Sequence, residues 1–254
     1  MTEHGTSSSW RPAQRALDIL VALAVLVFAW IPMLILAILV RRDGGPALYC
    51  GTRSAKGGGT FQMMKFRSMV VNADKIGPSS TSGEDPRVTR IGRTMRRFKL
   101  DELPNLLNVL RGDMSIVGPR PEVPFFTDQF SEEETVILSV RPGMTDYASL
   151  RFNDEGAIIE ASGIPDADEA YAQIIRPAKL RYQIRYAKEA NVLTDLQIIL
   201  ATALTLVSTR LGGGTVLVPP LRPADWGKTR PPGPCIRLLK PGEYPARTEG
   251  DHGL

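Results

Sequence analysis

The residues best suited to chemistry are two adjacent carboxylates, Asp101 and Glu102, which stand just before Pro104. Proline is tolerated only in the first turn of a helix, so Pro104 predicts a helix start here and places both carboxylates at that N-terminal turn. The exposed N–H groups and partial positive charge of such a turn suit carboxylates, and they equally suit a phosphate or a metal–phosphate complex. On spacing alone, simple helix capping is the favoured interpretation of the pair.

Basic residues near the pair favour phosphate chemistry instead. Arg96 lies about one turn upstream, and Arg120 lies between two prolines that stiffen its backbone. A guanidinium held in this way is suited to bidentate binding of phosphate oxygens. Lys65 and Arg67 are further candidates for a phosphate site, although they could equally form the outward face of a strand. These four cations define the predicted phosphate-binding set.

The composition argues against several other chemistries. Among the 254 residues, the two cysteines, Cys50 and Cys235, lie 185 positions apart, and the two histidines, His4 and His252, lie near the chain ends. This argues against a disulfide-rich scaffold, a cysteine zinc site, a Ser-His-Asp triad and a His-ligated metal. Any catalysis must therefore come from carboxylates, arginines, lysines or hydroxyls.

The charge is unevenly distributed along the chain. The formal net charge is +4, but residues 1–120 carry 17 Lys and Arg against 9 Asp and Glu, whereas residues 121–210 carry 8 against 14. A basic N-terminal half that also contains the most hydrophobic segment suits an anionic membrane surface or phosphates. Chance asymmetry explains the charge equally well.

The most hydrophobic segment covers residues 19–40, which are 22 residues without a polar side chain. A helix of this length would be about 33 Å long, enough to cross a bilayer core. Pro32 interrupts it, however, and arginines flank both ends, at 11, 15, 41 and 42. Because arginines favour the cytoplasmic face, both flanks are satisfied only if the helix bends at Pro32 and leaves by the side it entered. From these residues alone, a re-entrant hairpin and a kinked spanning helix are about equally favoured.

Shorter patterns predict the elements that must position the charged residues. Strands at 47–50 and 60–64, around three glycines at 57–59, predict a hairpin. Apolar residues at helical spacing predict helices at 87–99, 104–109, 167–190 and 193–206, with a break or a new start at Pro177. The helix at 87–99 has a basic stripe beside its apolar face, so it could lie in a membrane interface or pack on a core.

Five sequence blocks, in this order, resemble the bacterial sugar transferases, the small monotopic phosphoglycosyl transferases. The blocks are KFRSM at 65–69, DPRVTRIGR at 85–93, LDELP at 100–104, GDMS running into VGPRP at 112–121, and RPG at 141–143. The resemblance covers residues 13–207 and includes the apolar segment. Each block is a weak signal alone, but five in the family's order are a strong one.

The resemblance implies a reaction. Members of the family transfer a sugar 1-phosphate from a UDP-sugar to a polyprenol phosphate such as undecaprenyl phosphate and release UMP, which starts polysaccharide or glycan assembly at the cytoplasmic face of the bacterial inner membrane. The family's nucleophile matches Asp101, which would form a covalent phosphosugar intermediate next to a required Mg²⁺, and its assisting glutamate matches Glu102. Its phosphate-contacting arginines match Arg96 and Arg120, and the proline of its re-entrant helix matches Pro32.

The predicted fold is therefore α+β and mainly helical, a monotopic membrane protein with a re-entrant helix at 13–42, broken at Pro32, interfacial amphipathic helices and a small β-hairpin. We expect a disordered N-terminus at 1–12, a catalytic domain at 43–210 and a Pro/Gly-rich tail at 211–254. The expected partners are the UDP-sugar, the polyprenol phosphate and the membrane, with no nucleic acid and with a homodimer left open. The alternative function is a non-catalytic, membrane-anchored scaffold or binding protein of glycan assembly.

Overall fold

The computed structural model describes residues 11–77, 85–152 and 155–210. Of the disordered N-terminus predicted at 1–12, residues 1–10 lie outside these described residues and residues 11 and 12 are helical. The predicted tail at 211–254 also lies outside the described residues. The helices are α1 Arg11–Arg41, α2 Arg90–Arg97, α3 Asn105–Arg111, α4 Pro124–Thr127, α5 Tyr147–Arg151, α6 Glu155–Ala161, α7 Ala167–Ala170, α8 Arg176–Glu189 and α9 Val192–Arg210. The strands are β1 Leu48–Ser54, β2 Thr60–Phe66, β3 Ser115–Val117 and β4 Gly143–Thr145. The predicted α+β, mainly helical architecture is confirmed.

Strands β1 and β2 form the predicted antiparallel hairpin, with Tyr49 opposite Lys65. Both strands are longer than predicted, because their regular pairing extends to Ser54 and Phe66. A second pair, between β3 and β4, is parallel and was not predicted, since three-residue strands leave almost no pattern in the sequence. Here the backbones come so close that a Cβ on Gly143 would lie 2.1 Å from the Gly118 nitrogen, so only glycine fits.

Helix α1 packs one face on the rest of the protein and exposes the other. It is the one described helix that is long and apolar enough to cross a membrane by length and composition, with a mean hydropathy of 2.9 in its most apolar window. Its contact residues recur every three or four positions, as expected for one helical face, and include Gln14, Asp18, Ala22 and Val40. The opposite face is apolar and exposed, and the Phe28 side chain is 84% accessible.

Both ends of α1 are attached to the same body. Near the N-terminal end, Asp18 accepts hydrogen bonds from the Ser115 hydroxyl and the Ile116 N–H, both at 2.8 Å. At the C-terminal end, the Val40 carbonyl accepts a hydrogen bond of 2.9 Å from Arg67. Helix α1 continues through Pro32, so the helix is not interrupted at the predicted break. A proline removes one backbone hydrogen bond, and the turns on either side keep theirs.

The remaining helices build the core behind the site. The main apolar cluster joins α3, β3, α8 and α9 through residues such as Val109, Val117, Tyr186 and Ile198. The helix predicted at 167–190 is one run from α7 to α8, with a π-helical turn at Tyr171–Ile175 directly before the predicted break. Pro177 lies at the N-terminal end of α8, where its missing N–H leaves little unpaired.

Candidate active site

A sharp turn of the chain presents the two carboxylates. Helix α2 begins at the Thr89 cap, whose side chain accepts a hydrogen bond from the Gly92 N–H, and the chain turns at Lys99, which has a φ of 55°. Asp101 and Glu102 follow in the 3₁₀ turn Leu100–Glu102, and α3 begins after Pro104. The carboxylates therefore lie in a separate turn before α3, one turn earlier than the predicted position in its first turn.

Glu102 is held by Arg120. The two guanidinium nitrogens of Arg120 donate to the two carboxylate oxygens of Glu102, at 2.6 and 3.1 Å. Burial would raise the pKa of Glu102, but the charge and hydrogen bonds of Arg120 outweigh burial and lower that pKa to about 2. Glu102 is therefore ionised at neutral pH, and its charge is compensated. Arg120, predicted as a phosphate ligand, is placed in the site and paired with a carboxylate.

Asp101 has the opposite environment. Its residue is only 6% exposed, and its Oδ1 has no hydrogen-bond partner within the described part of the chain. Burial raises the pKa of Asp101 and the neighbouring Glu102 charge raises it further, while Lys65, Arg96 and Lys99 lower it. Two adjacent carboxylates whose pKa values are pushed apart are a recurring sign of divided chemical roles. Here one carboxylate is fixed by a partner, and the other is left available.

Two of the predicted cations complete the site. Lys65, on β2, is desolvated and lies near Arg53, which together lower its pKa to about 8, while the charge of Asp101 opposes this shift. Arg96, on α2, donates from its Nε to the Ser68 hydroxyl at 2.9 Å. Neither cation forms an ion pair with a carboxylate among the described residues. The site thus combines one available carboxylate with two cations that an anionic ligand could neutralise.

The donor set of the site suits a magnesium ion. No group of three or more His, Cys, Asp or Glu side chains that could hold a metal occurs among the described residues, so a caged metal site is not found there. Mg²⁺ commonly takes one or two carboxylates and completes its shell with water and substrate phosphates. The Asp101 carboxylate fits this pattern, because its Oδ1 has no hydrogen-bond partner among the described residues, whereas both Glu102 oxygens accept from Arg120.

Comparison with known proteins identifies the family. The family model described as bacterial sugar transferase matches residues 9–209. The chain belongs to this family. It is therefore a transferase, and the family predicted from the five sequence blocks is confirmed.

Several curated relatives are similar over most of the transferase. A Bacillus subtilis relative is 47% identical over 149 residues, which are 56% of this chain and 79% of that protein. The UDP-glucose:undecaprenyl-phosphate glucose-1-phosphate transferase of Caulobacter vibrioides is 37% identical over 77% of this chain and 70% of its own length. The UDP-N-acetylgalactosamine-undecaprenyl-phosphate N-acetylgalactosaminephosphotransferase of Aeromonas hydrophila is 33% identical over 77% of this chain but only 44% of its own length.

Arg67 was predicted as a phosphate ligand, and in the structure its guanidinium is bound to backbone carbonyls. Its guanidinium donates to four backbone carbonyls, those of Pro46 at 2.9 Å, Met69 at 3.1 Å, Val40 at 2.9 Å and Gly44 at 2.6 Å. These carbonyls include the end of α1 and the turn after it. Arg67 therefore fastens α1 to the hairpin, and its role as a phosphate ligand stays a prediction, as do the roles of Lys65, Arg96 and Arg120.

Arg53 is a further cation beside the candidate site, and no sequence pattern indicated it. It lies on β1, where burial lowers its pKa and the charge of Arg120 lowers it further, while Glu122 opposes the shift. The charge of Arg53 in turn lowers the pKa of Lys65. Its guanidinium donates to the Thr52 carbonyl at 2.8 Å, and it has no ion pair among the described residues. The pairing of the hairpin strands could have indicated it. Tyr49 lies opposite Lys65, and Arg53 lies four residues after Tyr49, so Arg53 and Lys65 are on the same face of the hairpin.

A buried lysine supports the segment behind Arg120. The Lys179 ammonium contacts Glu122 at 3.3 Å, Glu155 at 3.1 Å and the Tyr171 hydroxyl at 2.9 Å. Burial alone would lower the pKa of Lys179, but the two carboxylates raise it well above its usual value. Lys179 therefore stays charged and joins α6 and α8 to the loop that carries Arg120.

Proposed function

We propose that this transferase moves a sugar 1-phosphate from a UDP-sugar to undecaprenyl phosphate, or a related polyprenol phosphate, with release of UMP. This reaction would be the first membrane step of a polysaccharide or glycan assembly. The names of the Caulobacter vibrioides and Salmonella typhimurium relatives, both of which refer to undecaprenyl phosphate, support this substrate class. The observation that carries the proposal is the available Asp101 carboxylate beside Lys65 and Arg96, two cations without a carboxylate partner.

The reaction would take place in two displacements on one phosphorus atom. A carboxylate oxygen of Asp101 forms a bond to the sugar-bearing phosphorus, and the bond from that phosphorus to the UMP oxygen breaks, so UMP leaves with the electron pair. An oxygen of the polyprenol phosphate then attacks the same phosphorus and releases Asp101. A carboxylate needs no general base for this attack, because it reacts in its ionised form.

The cations would make an attack by one anion on another feasible. The diphosphate of the UDP-sugar repels an aspartate, and Lys65, Arg96 and Arg53 would bind its oxygens and neutralise that charge. Mg²⁺, when bound, would neutralise diphosphate charge as well, and the Asp101 carboxylate would be its main protein ligand. Glu102 would keep the Arg120 guanidinium in place beside the acceptor phosphate.

The structure also supports a monotopic position at the membrane. Because both ends of α1 are attached to the same body, a helix that entered the bilayer would have to return to the side it came from. Helix α9 adds an exposed apolar stripe that includes Leu193, Leu200 and Val207. We therefore propose that α1 is re-entrant, that α9 lies in the interface, and that the site faces the cytoplasm at the inner membrane, where a lipid-bound phosphate can reach it.

The decisive experiment measures UMP release from UDP-sugars and undecaprenyl phosphate in detergent with Mg²⁺. We expect the wild type to release UMP and Asp101→Asn to release none, and we expect mass spectrometry of the wild type to find a sugar-phosphate adduct on Asp101. Full activity in Asp101→Asn, or an adduct on another residue, would end this mechanism. A wild type without activity toward any UDP-sugar would favour the scaffold alternative.

The position at the membrane is tested separately by labelling. Cys50 is exposed, and a cysteine introduced at position 12 would report on the other end of α1. A membrane-impermeant thiol reagent applied to inverted inner-membrane vesicles should label both positions, whereas intact cells should protect both. Labelling of the two positions from opposite sides would show that α1 spans the membrane.

A further inference from the structure

Two asparagines of α3 are fully buried but differ in every polar contact. The Asn108 Oδ1 accepts from the Met64 N–H at 3.0 Å, and its Nδ2 donates to the Gln62 carbonyl at 2.8 Å and to Asp113 at 3.1 Å. Asn105 is equally buried, yet neither its Oδ1 nor its Nδ2 has a hydrogen-bond partner within the described part of the chain. Asn108 therefore fixes α3 to β2, whereas the amide of Asn105 fixes nothing.

A buried amide without partners is unfavourable for folding. Its donor and acceptor lose their hydrogen bonds to water and gain none from the protein, so an apolar side chain of similar size would be more stable at the same place. Unsatisfied groups of this kind are rare in folded proteins and are expected where function requires them. The unpaired amide of Asn105 therefore needs an explanation other than stability.

The position of Asn105 in the chain suggests a functional explanation for its unpaired amide. Asn108, one turn later in α3, points to the backbone of β2. Asp101, one turn earlier, interacts electrostatically with Lys65, the residue after Met64 in β2. The spacing of positions 101, 105 and 108 puts Asn105 between the other two on the same side of the helical run. The Asp101 Oδ1, which is also buried, is likewise without a partner among the described residues.

We propose that Asn105 is a positioning residue for Asp101, whose amide N–H donates to the Asp101 Oδ1, directly or through one buried water, when the diphosphate substrate is bound. Hydrogen bonds of catalytic groups are often not yet formed in a site without substrate and tighten when it binds. This bond would hold one carboxylate oxygen and leave the other to attack phosphorus. Each carboxylate oxygen has two lone pairs, so Oδ1 could accept this bond and still face a cation.

The proposal rests on the proposed function, in which Asp101 is the nucleophile, and it predicts an unusual combination of effects for Asn105→Leu. The variant should unfold at the same temperature as the wild type or higher, because it removes only unpaired polar atoms. Its kcat should fall about 10- to 100-fold, the worth of one hydrogen bond to a charged group. Its KM for the UDP-sugar should stay within about twofold, because the bond serves the nucleophile and not substrate binding.

The pH profile gives a readout that a merely structural role would not change. The groups that act on the Asp101 carboxylate are Glu102, Lys65, Arg96 and Lys99, and none of them is altered in Asn105→Leu. Loss of a donor to the ionised carboxylate should raise its pKa, so the acid limb of kcat should move to higher pH.

Asn108→Leu is the matched control, since it removes the same chemical group from the same helix. It should lower the unfolding temperature, because it leaves the β2 backbone groups unpaired, and the acid limb of its remaining activity should not move. Asn105→Ala repeats the test if leucine disturbs the packing.

The outcomes separate this proposal from the proposed function. Unchanged kcat and an unchanged acid limb in Asn105→Leu, in a protein whose Asp101→Asn variant is inactive, would refute the role of Asn105 alone. The same conclusion would follow if both Asn105 variants unfolded, because the amide would then be structural. Retained UMP release in Asp101→Asn would refute the nucleophile and this proposal together.

Discussion

The pairing of Glu102 with Arg120 allows a quantitative prediction for Glu102→Gln, which keeps the shape of the side chain and removes its charge. The fall of the Glu102 pKa from 4.5 to about 2 corresponds to about 3 kcal/mol of favourable interaction in the folded protein. The side chain of Glu102 is 16% exposed and that of Arg120 is 30% exposed, so solvent screens part of this energy. We therefore expect Glu102→Gln to lower the free energy of unfolding by about 1–2 kcal/mol. For a chain of this size, that loss lowers the Tm by roughly 2–8 °C.

The pH dependence of this loss has a definite sign. Because the pKa of Glu102 is lower in the folded than in the unfolded protein, its stabilisation is fully present above the unfolded value of 4.5 and disappears as the pH falls toward 2. The difference in Tm between wild type and Glu102→Gln should therefore be constant from pH 7 to about pH 5 and should shrink below pH 4.5. Thermal unfolding followed by circular dichroism in detergent measures both curves.

Glu102→Gln should also shift the pH dependence of UMP release, in the direction opposite to the shift expected for Asn105→Leu. The negative charge of Glu102 helps to raise the pKa of Asp101, so its removal should move the acid limb of normalised UMP release to lower pH. Glu133→Gln is the control, because Glu133 forms a similar ion pair with Arg181 at 2.9 Å outside the site. An acid limb that stays in place or moves to higher pH in Glu102→Gln would show that the two carboxylates are not coupled as described.

Two further predictions concern the elements that support the site. A Cβ on Gly92 would lie 1.9 Å from the backbone oxygen of Ser68. Gly92→Ala should therefore displace α2 together with Arg96, lower the Tm by several degrees and abolish most UMP release. Gly59→Ala is the control and should behave as wild type, because Gly59 has open space around it. Lys179→Met should leave two carboxylates without their cation and cost about 3–5 kcal/mol, measured as a lower Tm; Lys188→Met, which removes a half-exposed lysine 4.0 Å from its partner, should change the Tm by less than about 2 °C.

Local sequence signals predicted the elements that depend on neighbouring residues. Pro104 and the apolar spacing after it placed α3 correctly, and the three glycines placed the hairpin. The GPRP turn indicated Arg120 as a site residue, and the structure places its guanidinium beside the carboxylate pair. Its partner could not be predicted, because the contact with Glu102 depends on how the loop after β3 folds over the 3₁₀ turn.

The backbone contacts of Arg67 could not be predicted, for a specific reason. Lys65 and Arg67 would share one face of a strand, but β2 ends at Phe66, so the alternation of the strand no longer applies to Arg67. Four carbonyls around the end of α1 then determine its position, and they come from residues up to 27 positions away. Asn105 could not be predicted either, because the lack of hydrogen-bond partners for a buried amide is a property of the folded structure.

The attachment of α1 has a consequence for biosynthesis. Gln14, near the start of the chain, donates to Asp195 across a separation of 181 residues, and Asp18 finds its partner 97 residues later. In the proposed position at the membrane, α1 would therefore be translated and delivered to the bilayer long before these partners leave the ribosome. Until then Gln14 lacks its α9 partner, so assembly of the described body is complete only when α9 has been made and packs against α1.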